Sequence, residues 1–270
     1  MTDPYNREGS GYGWRARVGL VIPSIGITDA CEFARIAPRG VISVDTLVRS
    51  EYDDSDVLTD EFVNSMVENL SPAFGKLTDA GVDVIVQCGT PFVFINGPGF
   101  GEDLKGRLRD EADTPVVLMA TAVRDAILRF DAERVALCTY YTEEFNKHYS
   151  EYLEAFDVDV LGVRGMEDQL INVDSMSEVS PLELAEIPLD ATYQAARKTY
   201  EANPDADALV ISGGNLPSIE LIEALETDLG IPVTTSNQAA FWKALRVAGI
   251  GDELSNWGSL LRMDLGELDG

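Results

Sequence analysis

Short apolar, β-branched runs alternate with longer amphipathic stretches along nearly the whole chain. That alternation predicts an α/β fold of mainly parallel sheets covered by helices. Runs at Arg17–Ile22, Gly40–Val48, Val82–Gln87, Val116–Met119, Arg134–Thr139, Val158–Val163, Ala208–Ser212 and Pro232–Thr235 read as strands. The helices are expected over Thr28–Ala37, from Thr59 or Asp60 onward with a kink or break at Pro72, and over Glu102–Glu111. Others are expected from a Thr121 cap to Phe130, from Thr142 through His148, and over Leu189–Ala202, Pro217–Leu229 and Gln238–Ala248. The acidic stretch Glu51–Asp56 reads as a loop, Gly165–Pro188 as an irregular acidic lid or crossover, and residues 1–13 as a mobile tail.

The stretch from Val82 to Pro91 is the one the rest is organised around. It is apolar enough to be a strand buried on both faces, and it stops in the small polar loop Cys88-Gly89-Thr90. In open α/β sheets, ligands bind outside the carboxyl ends of parallel strands. The run from Ala208 through Ser212-Gly213-Gly214 repeats the design: Asp83 precedes Gly89 as Asp207 precedes Gly213, and each copy leads to a Pro-Val strand start, Pro115 and Pro232. Arg17-Val18-Gly19-Leu20 is echoed by Arg134-Val135-Ala136-Leu137. These landmarks predict two pseudo-symmetric halves whose loop-bearing strand ends share a cleft. The halves are placed at residues 14–119 plus 238–250 and at residues 120–237.

Composition changes the picture in two ways. With 47 acidic against 20 basic residues the net charge is −27, spread along the chain. Such a surface repels nucleic acid and anionic membranes, and it fits work in high salt, where screening relieves self-repulsion. No apolar run approaches the ~20 residues of a membrane span, so a cytoplasmic protein is expected. The three cysteines form no disulfide framework or metal-type cluster, and a single histidine leaves no multi-His metal site and makes a His-based triad a poor fit. No cofactor or metal is expected. A homo-oligomer is compatible with the sequence.

Several of these stretches are familiar as a set. Arg15 through Ser24, Glu32 through Pro38, Asp83 through Thr90 with Gly97-Pro98-Gly99, Ala136 through Tyr141, and Asp207 through Gly214 with Phe241-Trp242 resemble signatures of the Asp/Glu racemase superfamily. Within it they are similar to the maleate cis-trans isomerase and arylmalonate decarboxylase group. The resemblance implies an enzyme that handles a small mono- or dicarboxylic acid through an enolate-type intermediate. It also implies one or two thiols at the pseudo-symmetric strand ends, a chemistry for which a thiol is suited as nucleophile or proton donor. Those thiol positions fall on Gly89 and Gly213, so both usual catalytic cysteines are missing, and the asparagine of the isomerases falls on Gly26.

The candidate catalytic groups are then Cys88 and Tyr141, with carboxylates of the Gly165–Asp174 segment as further acid/base candidates. Cys88 stands one residue early, and strand alternation turns its sulfur away from the cleft unless a bulge intervenes. It also reads as a buried structural cysteine. The candidate substrate-binding residues are Pro23, Ser24, Gly89, Thr90, Tyr141, Ser212, Gly213 and Gly214. Hydroxyls and backbone amides there would hold a carboxylate or enediolate. Thr90 reads equally as a helix cap, and Tyr141 equally as a packing residue. Three functions follow: an isomerase- or decarboxylase-like enzyme without paired thiols, a non-catalytic carboxylate-binding protein of the same fold, or a different lyase or hydrolase in the same cleft.

Overall fold

The computed structural model describes residues 11–49, 59–166, 180 and 182–266. The Glu51–Asp56 loop, most of the acidic Gly165–Asp174 segment and residues 1–10 lie outside them.

The first half runs β1 (Ala16–Pro23), α1 (Thr28–Ile36), β2 (Val41–Val48), α2 (Asp60–Glu68), α3 (Leu70–Asp79), β3 (Val84–Gln87), α4 (Pro91–Phe94), α5 (Phe100–Ala112), β4 (Val116–Leu118) and α6 (Met119–Arg129). The second runs β5 (Arg134–Thr139), α7 (Glu143–Glu154), β6 (Asp159–Arg164), α8 (Leu189–Ala202), β7 (Ala208–Ser212), α9 (Ile222–Leu229), β8 (Val233–Thr235) and α10 (Ser236–Val247). Each half forms a four-stranded sheet, in the orders β2-β1-β3-β4 and β6-β5-β7-β8. Every pairing is parallel. The central strands β3 and β7 are buried at every residue, as their unbroken apolar runs require.

The matched landmarks turn out to set the register of both sheets. Asp83 accepts the Arg17 amide at 2.7 Å, and Asp207 accepts the Arg134 amide at 2.9 Å. In each case the aspartate before the central strand ties down the start of the strand beside it. Val18 therefore pairs with Val84, and Val135 with Ala208. On the other side, the Pro115 carbonyl receives the Ile85 amide at 2.8 Å, and the Pro232 carbonyl receives the Leu209 amide at 3.0 Å. Proline suits that position because only its carbonyl is asked to bond.

The halves meet along α6 and α10, which pack on each other; α10 also touches β3 and β4 of the first sheet and β7 and β8 of the second. A buried Lys243–Asp125 ion pair crosses between these helices. α1 closes the seam, with Phe33 edge-on to Phe241 at 5.2 Å between ring centres. Among the described residues, no helix is long and apolar enough to cross a membrane.

The structure departs from the sequence reading at a few boundaries. α6 starts at Met119, straight off β4, so Thr121 lies inside it and donates to the Leu118 carbonyl at 2.8 Å instead of capping. The helix break falls at Asn69, and Pro72 sits in the first turn of α3, where a missing N–H costs nothing. The segment from Pro217 is a 3-10 turn at Ile219–Leu221 before α9 begins. Its leading amides, Ser218 and Ile219, are held by the Glu32 carboxylate. Tertiary bonding displaces the helix start.

Candidate functional site

The carboxyl ends of β3, β5 and β7 converge. Beyond them stand Cys88-Gly89-Thr90, Tyr140-Tyr141 and Gly213-Gly214, with Ser212 the last residue of β7. Thr90 Oγ1 lies 2.6 Å from the Tyr141 hydroxyl and 3.4 Å from Ser212 Oγ, so three hydroxyls from both halves gather at one buried point. Thr90 precedes α4 but makes no capping bond; its side chain turns to Tyr141 instead. Pro91 opens that short helix. Burial pushes the Tyr141 phenol up to about 12, against the opposing pull of its bonds to Thr90 and Ser212. The phenol therefore keeps its proton at neutral pH and remains a donor. It also packs against Phe94, 5.6 Å between ring centres, so its ring is part of the core while its hydroxyl meets Thr90.

The two glycines at the strand ends occupy equivalent places. Gly89 has φ +100° and Gly213 φ +145°, a region that L side chains rarely adopt. Each amide is bonded to the first residue of the following interface helix: Gly89 donates to Met119 Sδ and Gly213 to Ser236 Oγ, both at 3.2 Å. A Cβ on Gly89 would come within 2.9 Å of the Phe92 ring, and one on Gly213 would overlap the ring of Tyr140. The Pro23 ring stands 3.5 Å from the same point above Gly89, which places it beside the β3 strand end. Ser24 is different: it is exposed, and its amide is bonded to the Val48 carbonyl at 2.8 Å. It stands apart from the hydroxyl cluster.

One face of α1 brings further polar groups to this point. Asp29 and Glu32, one turn apart, are both buried. Glu32 accepts the Ser218 and Ile219 amides at 2.8 and 3.0 Å and the Asn237 side-chain amide at 2.7 Å. Asn215, next to Gly214, accepts the Ile27 and Thr28 amides at 2.8 and 3.3 Å and so caps α1 from the other half. Thr28 donates to the Gly214 carbonyl, which also receives the Asn237 amide at 2.9 Å. Asp29 is held less completely. Its Oδ2 lies 2.9 Å from the point where a Cβ on Gly26 would stand, and its Oδ1 lies 3.1 Å from the equivalent point on Gly214. Oδ1 is buried without a hydrogen-bond partner. Burial first, and then the neighbouring charge of Glu32, push its carboxyl up to about 7.

Cys88 is fully buried, and its thiol bonds to the Asp29 carboxylate. Burial, and then the negative charge of Asp29, push that thiol well up, so it stays protonated. Cys88 is thus packed as a core residue, yet it touches a carboxyl that borders the strand ends. Sequence reasoning passed over Asp29. The signal was there: two acids three residues apart on the same helix face as Phe33 and Ile36, in a helix that opens at a loop-bearing strand end. Among the described residues, no group of three or more His, Cys, Asp or Glu is placed to hold a metal ion.

Comparison with known proteins fits this geometry. The arylmalonate decarboxylase of Bordetella bronchiseptica is 29% identical over 194 residues, covering 72% of this chain and 77% of that protein. The maleate isomerase of Geobacillus stearothermophilus is 25% identical over 256 residues, covering 91% and 96%. Among solved structures, a maleate cis-trans isomerase variant from Nocardia farcinica with a covalently bound succinylcysteine intermediate superposes with a TM-score of 0.79. It shares 25% identity and covers 92% of this chain and 99% of its own. These relatives are enzymes, and homology to them supports an isomerase- or decarboxylase-like function. The sequence profile of the arylmalonate decarboxylase family matches residues 55–261, and the chain belongs to that family.

Proposed function

We propose that this protein is an enzyme that isomerises or decarboxylates a small mono- or dicarboxylic acid through an enolate-type intermediate, without a pair of cleft thiols. The observation that carries the proposal is the meeting of Thr90, Tyr141 and Ser212, three hydroxyls from two sheets within hydrogen-bond reach of one another. Enolate formation moves negative charge onto carboxylate oxygens. Preorganised neutral donors in a buried site stabilise such charge strongly, because they need not reorganise as it develops. Hydroxyls at neutral pH fill that role without the desolvation cost of a buried cation. Gly89 and Gly213 leave the flanking positions without side chains, and Phe92 and Tyr140 fill the space where side chains would start.

The test is Tyr141→Phe, which removes one donor and keeps the ring packed against Phe94. Losing a hydrogen bond to a charged group costs roughly 1.5–3 kcal/mol, or about a 10- to 150-fold change. With phenylmalonate and maleate as probe acids followed by proton NMR, the loss is expected mainly in kcat, since the charge is largest in the transition state. Unchanged kcat and KM in the variant would remove the hydroxyl cluster from the reaction. Binding of a probe acid by the wild type with no turnover would mark a carboxylate-binding protein instead.

A further inference from the structure

We propose that the Asp29 carboxyl is the acid that delivers the proton to the substrate carbon, with the Cys88 thiol as its positioning partner. The inference rests on the function proposed above and adds the proton donor.

Position comes first. Asp29 Oδ1 is buried, unpartnered and set against Gly214, while Oδ2 is set against Gly26. Both glycines leave room where any side chain would press on the carboxyl. The Asn237 side-chain oxygen is likewise buried without a partner and lies 3.6 Å from the same point on Gly214. Asn237 is locked in that orientation because its amide nitrogen donates to Glu32 and to the Gly214 carbonyl. Two unpartnered oxygens beside one glycine, at the strand end next to the hydroxyl cluster, call for a shared proton or a ligand between them.

Chemistry comes second. Two carboxyls on one helix turn are given different surroundings: Glu32 has three donors and Asp29 has an unbonded oxygen, and such a split assigns different roles. Glu32 is the anchored neighbour. Asp29, raised to about 7, exists in both protonation states near neutral pH, which is the condition for an efficient proton donor. The groups facing it are Glu32 on its own helix, Cys88 after β3, Asp45 on β2, Tyr140 and Tyr141 after β5, and Asn237 on α10. None of these groups is a cation.

With a malonate-type probe acid, Cys88 has no nucleophilic part to play. Its raised, fully buried thiol donates to Asp29 and is not poised as a thiolate, so it is a poor nucleophile for addition to a carbon–carbon double bond. A malonate-type acid needs no nucleophile. Its C–C bond to one carboxylate breaks, carbon dioxide leaves, and the bonding pair becomes the enediolate held by Thr90, Tyr141 and Ser212. The carbon–carbon π pair of that enediolate then takes the Asp29 proton, forming the C–H bond and restoring the carboxylate. Asp29, left ionised, regains a proton from water.

The test uses the full-length wild type and Asp29→Asn, with phenylmalonate and maleate as separate probes. Turnover is followed by NMR across pH 5–9, and probe binding by calorimetry. Wild type should release phenylacetate, with kcat falling as pH rises past about 7. Asp29→Asn should lose at least about 100-fold in kcat, the size of a general-acid contribution, while phenylmalonate affinity changes by a few-fold at most. Cys88→Ala removes a donor to the Asp29 carboxylate, so it should move the alkaline limb to higher pH. That variant decides the matter if Asp29→Asn does not fold. An infrared carboxylic-acid band that titrates near pH 7 in the wild type and is missing from Asp29→Asn supplies a readout independent of turnover. Retention of more than a tenth of kcat in Asp29→Asn, an unmoved limb in Cys88→Ala, or no such band would overturn the assignment of Asp29 while leaving the enzyme reading intact. Conversion of maleate but not phenylmalonate would overturn the proton-donor role. Conversion of neither probe, with the band present, would sink the function proposed above and the inference with it.

Discussion

The two halves have the same strand order and the same register landmarks, yet their strand ends are equipped differently. At the end of the first sheet stand acidic and thiol groups: Cys88, with Asp29 reaching in from α1. At the end of the second stand hydroxyls and aromatic rings, Ser212 with Tyr140 and Tyr141. Thr90 bridges the two sets. The lesson is that a duplicated scaffold sets where a site lies, while its chemistry is decided by the few residues just past each strand. Even the paired glycines differ, since Gly89 has Phe92 beside it at 2.9 Å and Gly213 lies under the Tyr140 ring.

The largest expected effect concerns the acidic end. Asp29 is an acid whose folded value, about 7, is raised from 3.8. The folded state therefore binds its proton more tightly than the unfolded chain does. That stability is fully present below the unfolded value and is lost as pH rises through about 7. About three units at 1.36 kcal/mol each gives on the order of 4 kcal/mol. Asn carries no such penalty. The difference in urea-unfolding free energy between Asp29→Asn and wild type should grow in favour of the variant from pH 4 to pH 8. A difference constant across that range would mean Asp29 is not held protonated.

Next is the pair of glycines. Gly213→Ala places a methyl in the Tyr140 ring and on a positive φ, so a loss of about 2–4 kcal/mol is expected. Gly89→Ala meets only the edge of Phe92 and should lose about 1–3 kcal/mol. Tyr140→Ala should rescue part of the first loss and none of the second. No rescue of Gly213→Ala would mean that backbone strain, not the Tyr140 ring, is what excludes a side chain at Gly213.

Much of this was legible in the sequence, and the reasons are local. Ala208–Ser212 and Leu189–Ala202 were read to the residue, because an unbroken apolar run and an amphipathic period are properties of the segment itself. The paired aspartates and prolines foretold the repeated sheets, since their bonds lie within one sheet. Thr90 and Tyr141 were found by resemblance and Ser212 by its hydroxyl at a strand end, and the structure brings the three hydroxyls together. Asp29 was missed because its significance depends on burial, on Glu32 one turn away and on glycines far along the chain. No single stretch carries that signal. The 3-10 turn at Ile219–Leu221 was misread for the same reason: its amides belong to Glu32, on another element.

Buried and surface charge should also separate by their response to salt. The net charge of −27 is self-repulsive and is screened within about 10 Å at 0.1 M salt. Added KCl should therefore raise the midpoint of thermal unfolding. The pH-dependent difference between wild type and Asp29→Asn arises inside the protein and should persist in molar KCl. A flat midpoint would remove high salt as a condition this surface is suited to. Collapse of the Asp29 difference would show that water and ions reach that carboxyl.

The smallest effect tests the landmarks themselves. Asp207 accepts the Arg134 amide and also pairs with its guanidinium at 2.8 Å, whereas Asp83 accepts the Arg17 amide at 2.7 Å. The Arg134 partnership holds the Asp207 carboxyl below its ordinary value. Both sites are open to water, so screening and side-chain entropy leave that pairing only a small contribution. Asp207→Asn should thus cost slightly more than Asp83→Asn, with both variants keeping the wild-type fold by circular dichroism. Raising the salt should narrow the gap, because only the ion pair is screened, while the amide bond common to both sites is not. Equal costs at low salt would mean the two halves are tied at their strand starts by the amide bond alone, and that the asymmetry of the molecule begins only at the opposite, carboxyl end of the sheets.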